Sequence, residues 1–247
     1  MLVSLIHCKE LTFVFISQTI NHNYTNPLDK PCFAKQTIQN LGCFFIPLSA
    51  DPPTKEDGAE IAPEFLIKHP LQNAWKLWYL EPMKGVNWED MQKEITLFDT
   101  VEDFWSIYNH IKQASELKTG CDYSVFKSGI QPMWEHPANN AGGRWLVTLD
   151  KRQRTSDLDR VWLDVCLCLI GEAFDNAEDV NGAVVNVRQK QDKVAVWVRD
   201  GTKTQAVMEI GKKLKDKLKI GPRSVIMFQL HKDLYKPSST TKAIHTL

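Results

Sequence analysis

Two tryptophans stand in settings suited to holding a flat ring: Trp88 in Gly85-Val86-Asn87-Trp88 and Trp134 in Gln131-Pro132-Met133-Trp134-Glu135. Each adjoins turn-forming residues and lies outside any run with helical or strand period, which predicts that both indoles ride on loops. Two loop indoles can sandwich a planar base. The carboxylate of Glu135 can then accept from a ring edge with two N–H donors, an edge that among nucleobases belongs to guanine. Stacking contributes about 1–3 kcal/mol per base, and a positive charge on the ring adds about 0.5–2 kcal/mol through the indole faces. An N7-alkylated guanine carries that charge, and a carboxylate bonded to it contributes about 1.5–3 kcal/mol more. Attached phosphates call for cations, which Arg188, Lys190 and Lys193 supply within Arg188-Gln189-Lys190-Gln191-Asp192-Lys193. A plainer reading stays open, in which each Trp is a core or surface residue and the basic run is a solvated turn.

The segments that must position these residues are short, aromatic and β-branched. Residues 75–80, 144–149, 183–187, 194–198 and 225–230 read as strands of one sheet. The basic run falls between the third and fourth of them and reads as a hairpin tip. On the later strand Lys193, Ala195, Trp197 and Arg199 share a face assigned to ligand, and Val194, Val196 and Val198 share the face assigned to core. Three helices alternate with the strands. The first starts at Asp99-Thr100 and carries the stripe Phe104, Ile107, Tyr108 and Ile111, with Trp105 one step off it. In the second, Ser156 reads as the cap, Asp157 and Asp159 favour the positive end, and Leu158, Val161, Trp162, Val165 and Leu169 form the buried side, with Gly171 near the stop. The third turns Val207, Ile210, Leu214 and Leu218 inward and its lysines outward. Val101, Trp105, Leu163 and Leu167 are left over. They form either an exposed groove for an amphipathic partner helix or the packing between two helices.

At 247 residues with 43% apolar content, the chain suffices for one large domain or two small ones. Thirty basic residues balance thirty acidic ones, which excludes a broad electrostatic grip on nucleic acid and leaves only local recognition. The six cysteines form no C-x-x-C pair and have no histidine at ligand spacing, so neither a zinc site nor a disulfide framework is expected, in keeping with a reducing cytosol. No apolar run reaches the length of a membrane span. Leu11 to Ile16 could pass for a signal-peptide core, but Lys9-Glu10 precede it and no small-residue cleavage site follows. Residues 1–60 therefore read as a disordered extension or linker, with Pro52-Pro53 near its end, and residues 61–247 as the folded domain. An enzyme acting on a phosphate-bearing N7-alkylated guanine nucleotide would need a base or a metal cluster beside the phosphates. His136 is the nearby candidate base, paired carboxylates are missing, and no catalytic residue, metal or cofactor is expected.

Several longer motifs carry a resemblance: His69-Pro70-Leu71-Gln72-Asn73, the run Phe98 to Trp105, Gly120-Cys121-Asp122-Tyr123-Ser124, Pro132-Met133-Trp134-Glu135, Gly142-Gly143-Arg144-Trp145-Leu146 and Gly182 to Arg188. In these the chain, from about residue 64 onward, resembles the eukaryotic translation initiation factor 4E proteins, which bind the 7-methylguanosine cap of messenger RNA. The resemblance implies an α+β fold: a curved eight-stranded antiparallel sheet, three helices on its convex face and the cap slot on its concave side. It implies that Trp88 and Trp134 stack on the base, Glu135 reads the guanine edge and Trp197 lies against the N7-methyl group. Arg188 and Lys190 would bind phosphate directly, with Arg144, Lys193 and Lys236 in support. On the back, His69, Pro70, Val101, Trp105, Leu163, Asp164 and Leu167 would dock the scaffold factor 4G and the inhibitory 4E-binding proteins through a Tyr-x-x-x-x-Leu-apolar helix. Ser239 matches a phosphorylated tail serine. Two departures bear on the back: Asp164 replaces a common Glu, and Leu66 stands where Tyr is frequent. The implied function is to start cap-dependent translation by recruiting the scaffold, the alternative being a cap-binding repressor of the same fold. The implied location is the cytoplasm, with the nucleus as a second compartment.

Overall fold

Along Pro70–Leu80 (β1), Trp75 and Leu77 are buried toward one side while Trp78 and Leu80 are buried toward the other, the alternation of a strand covered on both faces. The computed structural model describes residues 68–220, 224–234 and 243–247. A four-residue helix, α1 (Trp88–Met91), leads into β2 (Gln92–Thr100), helix α2 (Val101–His110) and β3 (Asp122–Lys127). Next come β4 (Gly143–Asp150), α3 (Asp159–Ile170), β5 (Val180–Asn186), β6 (Gln191–Val198) and α4 (Thr204–Leu218). Then follow β7 (Ile226–Leu230), the short α5 (His231–Leu234) and β8 (His245–Thr246). The strands form one open antiparallel sheet in the order β2-β1-β3-β5-β6-β4-β7-β8.

All three long helices pack on one face. The main core there joins Phe104 of α2, Val161 and Val165 of α3, and Ile210 and Leu214 of α4 to the core-facing side of the strands. Trp145 of β4 ties α4 to the sheet: its Nε1 donates to the Val207 carbonyl at 2.8 Å. Gly211 permits that approach, since a Cβ there would lie 2.2 Å from the indole. The opposite, open face carries a smaller cluster of Phe126, Leu146, Val184, Ala195 and Trp197, with Ile130 and Trp134 packed on it. The expected division of β6 holds, with Val194, Val196 and Val198 toward the helices and Ala195 and Trp197 toward the open face. On that second face Trp197 is itself buried.

The helix starts divide between agreement and correction. Thr100 caps α2 as its sequence predicts, its side chain accepting from the Asp103 N–H at 3.2 Å. Ser156 is not a cap. Residues Lys151–Gln153 form a 3-10 turn and Arg154–Leu158 a π-helical turn that runs straight into α3, so no N–H is left for a serine to satisfy, and its hydroxyl lies against Asp157 instead. Trp88 is not on an irregular loop either: it opens α1 behind an extended Asn87, with Glu89 and Asp90 favouring the positive end. Strands β2, β3 and β8 escape a residue-by-residue reading. β2 is an edge strand whose alternation is broken by a register shift against β1, and β3 is buried along almost its whole length, so neither shows a clean period of two. The expected extension and linker, together with Leu66, Lys236 and Ser239, lie outside the described residues.

Candidate functional site

Strand register builds the open face in rows. One row crosses the sheet as Leu97, Lys76, Phe126, Gly182, Trp197, Arg144 and Gln229, each residue opposite the next on the adjoining strand. Gly182 matters to this row because a Cβ there would meet the Phe126 ring at 2.5 Å. Without it, Phe126 sits edge-on to Trp197, with centroids 5.3 Å apart and planes at 81°. On its other side Trp197 meets the fully buried His231 at 4.1 Å between centroids. Among the described residues, neither ring nitrogen of His231 nor Trp197 Nε1 has a hydrogen-bond partner. Burial, and then the charge of Arg144, push the His231 imidazole down to about 3. Trp197 is thus wedged between two rings.

Four residues further along the same strands lies a second row of Asp122, Asn186, Lys193 and Thr148, about 13 Å away at about 3.3 Å per residue. Here the cations gather. Burial, and then the charges of Arg144 and Arg188, hold the Lys193 ammonium below its usual range, so the three positive groups lie close enough to feel one another. Arg188 reaches back from the turn between β5 and β6 to donate to both oxygens of Asp122, at 2.5 and 2.9 Å. Burial raises the Asp122 carboxyl above the ordinary range although Arg188 and Asn186 pull it the other way. The turn is tighter than the expected tip 188–193: β6 begins at Gln191, Lys193 is a strand residue, and Asp192 is buried.

The end that carries Trp134 is less built. Trp134 sits in a turn, half-buried against the open-face cluster, and Glu135 beside it is exposed. The turn is held from below by Asn139, whose amide donates to the carbonyls of Gln131 and Met133 at 2.9 and 2.8 Å. His136 is absorbed in the same turn, its Nδ1 accepting from the Ala138 N–H at 3.2 Å. Trp88 is 45% exposed. The structure therefore brings Trp134, Trp197, Arg144, Arg188 and Lys193 onto one face, with Lys190 exposed on the adjoining turn, and leaves Trp88 outside the buried cluster.

On the helix side, the expected partner residues divide unevenly. His69 donates its N–H to Glu102 at 2.9 Å and its ring lies 2.6 Å from the same carboxylate, while the Val101 N–H donates to the His69 carbonyl. This stitches the start of β1, with an exposed Pro70, to the first turn of α2. Trp105 is half-buried, edge-on to Phe104 and Tyr108, and Leu163 is half-buried too. Leu167 is not left over: at 6% exposure it belongs to the core. Asp164 is turned toward Arg160 at 3.1 Å, which also binds the Leu218 carbonyl at the end of α4.

The reading from residues passed over Asp122, Asp192, Arg154, Phe126 and His231. One signal was available for Asp192. It shares the parity of Val194, Val196 and Val198, and a carboxylate on the core face of a strand calls for a buried cation. Arg154, in a run of surface cations, carries no such mark.

The family described as Eukaryotic initiation factor 4E matches residues 70–246. A curated relative, eukaryotic translation initiation factor 4E1 of Drosophila melanogaster, is 57% identical over 185 residues, covering 74% of this chain and 71% of its own. The Homo sapiens factor 4E is 52% identical over 200 residues, covering 78% and 92%. Among solved structures, Ascaris suum eIF4E-3 in complex with an m2,2,7G cap superposes with a TM-score of 0.70 at 49% identity, covering 73% of this chain and 99% of that one. Caenorhabditis elegans eIF4E-3 in complex with the 4E-binding protein Mextli and a cap analog gives 0.67 at 47%, covering 73% and 100%. On the strength of a profile match over most of the chain and relatives above half identity, the chain belongs to the eukaryotic initiation factor 4E family.

Proposed function

We propose that this protein binds the 7-methylguanosine 5′ cap of messenger RNA and recruits the initiation scaffold, factor 4G, to start cap-dependent translation. The observation that carries the reading is the layout of the open face, with an aromatic end at Trp134 and Trp197 and a cationic end at Arg188 and Lys193 two turns of strand pleat away. That polarity suits a flat, charged base with a phosphate tail. Trp88 would complete the sandwich from α1, Glu135 would accept from the guanine N1 and N2 donors, and Lys190, Arg144 and Lys236 would add to the phosphate field. Relatives in complex with cap, and with the 4E-binding protein Mextli, support both faces of the reading.

We infer no catalytic step. His136, the candidate base next to Glu135 in sequence, spends its Nδ1 on the turn that carries Trp134. The partially exposed Trp105 and Leu163 favour a scaffold-recruiting factor over a repressor that keeps only the front. The inhibitory 4E-binding proteins would compete for this same back surface, and the cytoplasm, with a nuclear pool, is the setting proposed, checked by cell fractionation. The deciding experiment is retention on 7-methyl-GTP resin with elution by GTP or by 7-methyl-GTP. Elution by the methylated nucleotide alone is expected, and elution by GTP at equal concentration would overturn the reading.

A further inference from the structure

Arg188 is held from two sides. On the open face its guanidinium meets Asp122. On the helix side its main chain is held instead: the N–H donates to Asp192 Oδ1 at 2.9 Å, and the carbonyl accepts from Arg154 Nη2. Asp192 is fully buried and takes Arg154 Nε on one oxygen and Nη2 on the other, each at 2.7 Å. A fork of this kind is the most directional pairing these two groups have, and with the Arg188 N–H it gives the buried carboxylate three donors. Arg154 comes from the π-helical turn before α3, and Asp192 has the parity of the core-facing valines, so their pairing lies on the face away from the slot.

We propose that Asp192 and Arg154 are positioning residues for phosphate recognition, fixing the β5–β6 turn from behind so that Arg188 and Lys190 meet the phosphates in a preset geometry. The proposal rests on the reading of the open face as a cap slot. Preset geometry has a distinct consequence, because a cation already in place loses no side-chain or loop freedom when phosphate arrives. A simple charge effect would behave otherwise. Removing the negative charge of Asp192 would strengthen phosphate binding by Coulomb's law alone, whereas loosening the turn weakens it. The two accounts differ in sign.

The test compares 7-methylguanosine with its triphosphate by tryptophan-quenching titration, for the wild type, Asp192→Asn and Arg154→Lys, with melting temperatures alongside. Arg154→Lys keeps the charge and loses the fork. The triphosphate-to-nucleoside affinity ratio is expected to fall by about tenfold in each variant, the equivalent of one charge-assisted hydrogen bond, while nucleoside affinity stays within about twofold. A ratio unchanged or raised in Asp192→Asn overturns the positioning role. Should that variant fail to fold, a ratio retained by Arg154→Lys overturns it equally. A wild type that binds the triphosphate no better than the nucleoside would instead bring down the slot reading itself, and the inference with it.

Discussion

At the end of the open face proposed for phosphate, Lys193 is set by its strand and Arg188 by Asp122 in front and by the Asp192–Arg154 pair behind, whereas at the end proposed for the base Trp88 opens a four-residue helix with no buried residue and no side-chain cap. The difference follows from what each end must do. A cation on a long side chain has much freedom to lose, and a phosphate rewards it fully only where that freedom has already been removed. An indole has two torsions, and a sandwich has to open before a ring can slide in. On the proposed reading of the open face, one end is prepared in advance and the other is completed by its ligand, so that affinity from charge and discrimination from stacking would arise in separate places.

The largest effect should come from dismantling the base end. Replacing Trp88 and Trp134 together by Ala should cost about 2–6 kcal/mol in 7-methyl-GTP affinity, at about 1–3 kcal/mol per lost stacking face, and bring the protein close to its affinity for GTP. Quenching would be read from the remaining tryptophans, or calorimetry used instead. Because Trp88 is exposed, Trp88→Ala alone should leave the melting temperature where it was, and a marked drop would show that α1 is part of the fold's support. Next, Glu135→Ala should cost about 1.5–3 kcal/mol, with Glu135→Gln costing less because the guanine edge needs only an acceptor. Undiminished binding by the Ala variant would place the guanine reader elsewhere.

A control outside both ends is Trp105→Ala. It should weaken capture of a Tyr-x-x-x-x-Leu peptide by about 2 kcal/mol while the protein stays on cap resin, and loss of resin binding with a lower melting temperature would make Trp105 a core residue. The smallest effect concerns the fixed floor beneath Trp197. Exposed in the unfolded chain, His231 takes up a proton as pH falls below about 6.5, but in the fold burial delays this to about 3. Over that window the unfolded state binds the extra proton, so stability falls with acidity, by about 1.4 kcal/mol at pH 5.5. His231→Phe should lose less stability than the wild type between pH 7.5 and 5.5 in thermal melts, and identical slopes would refute a buried neutral imidazole.

Much of the open face was legible because strands expose their parity: the split of β6 into Ala195 and Trp197 against three valines follows from a period of two. The hairpin between β5 and β6 was legible for the same reason, framed by two apolar runs. Trp88 was misplaced because a single helical turn has too few residues to show a period, and Ser156 because a π-helical turn imitates the start of a helix in composition. Leu167 was misjudged because α3 is covered on more than one side, which an amphipathic stripe cannot express. The partners of Arg188 were hidden for a deeper reason: Asp122 lies 66 residues from it in the chain, and no local pattern links them.

Asp192 binds one partner 4 residues away, the Arg188 N–H, and another 38 residues away, Arg154. Closing the longer loop costs about 2 kcal/mol more chain entropy than closing the shorter. The β5–β6 hairpin can therefore close early and alone, on the timescale of microseconds, while its clamp waits for β4 to insert between β6 and β7, a pairing of distant segments. The turn can thus form before its arginine is held, so the proposed capacity to grip phosphate should be among the last properties acquired during refolding, and among the first surrendered on unfolding.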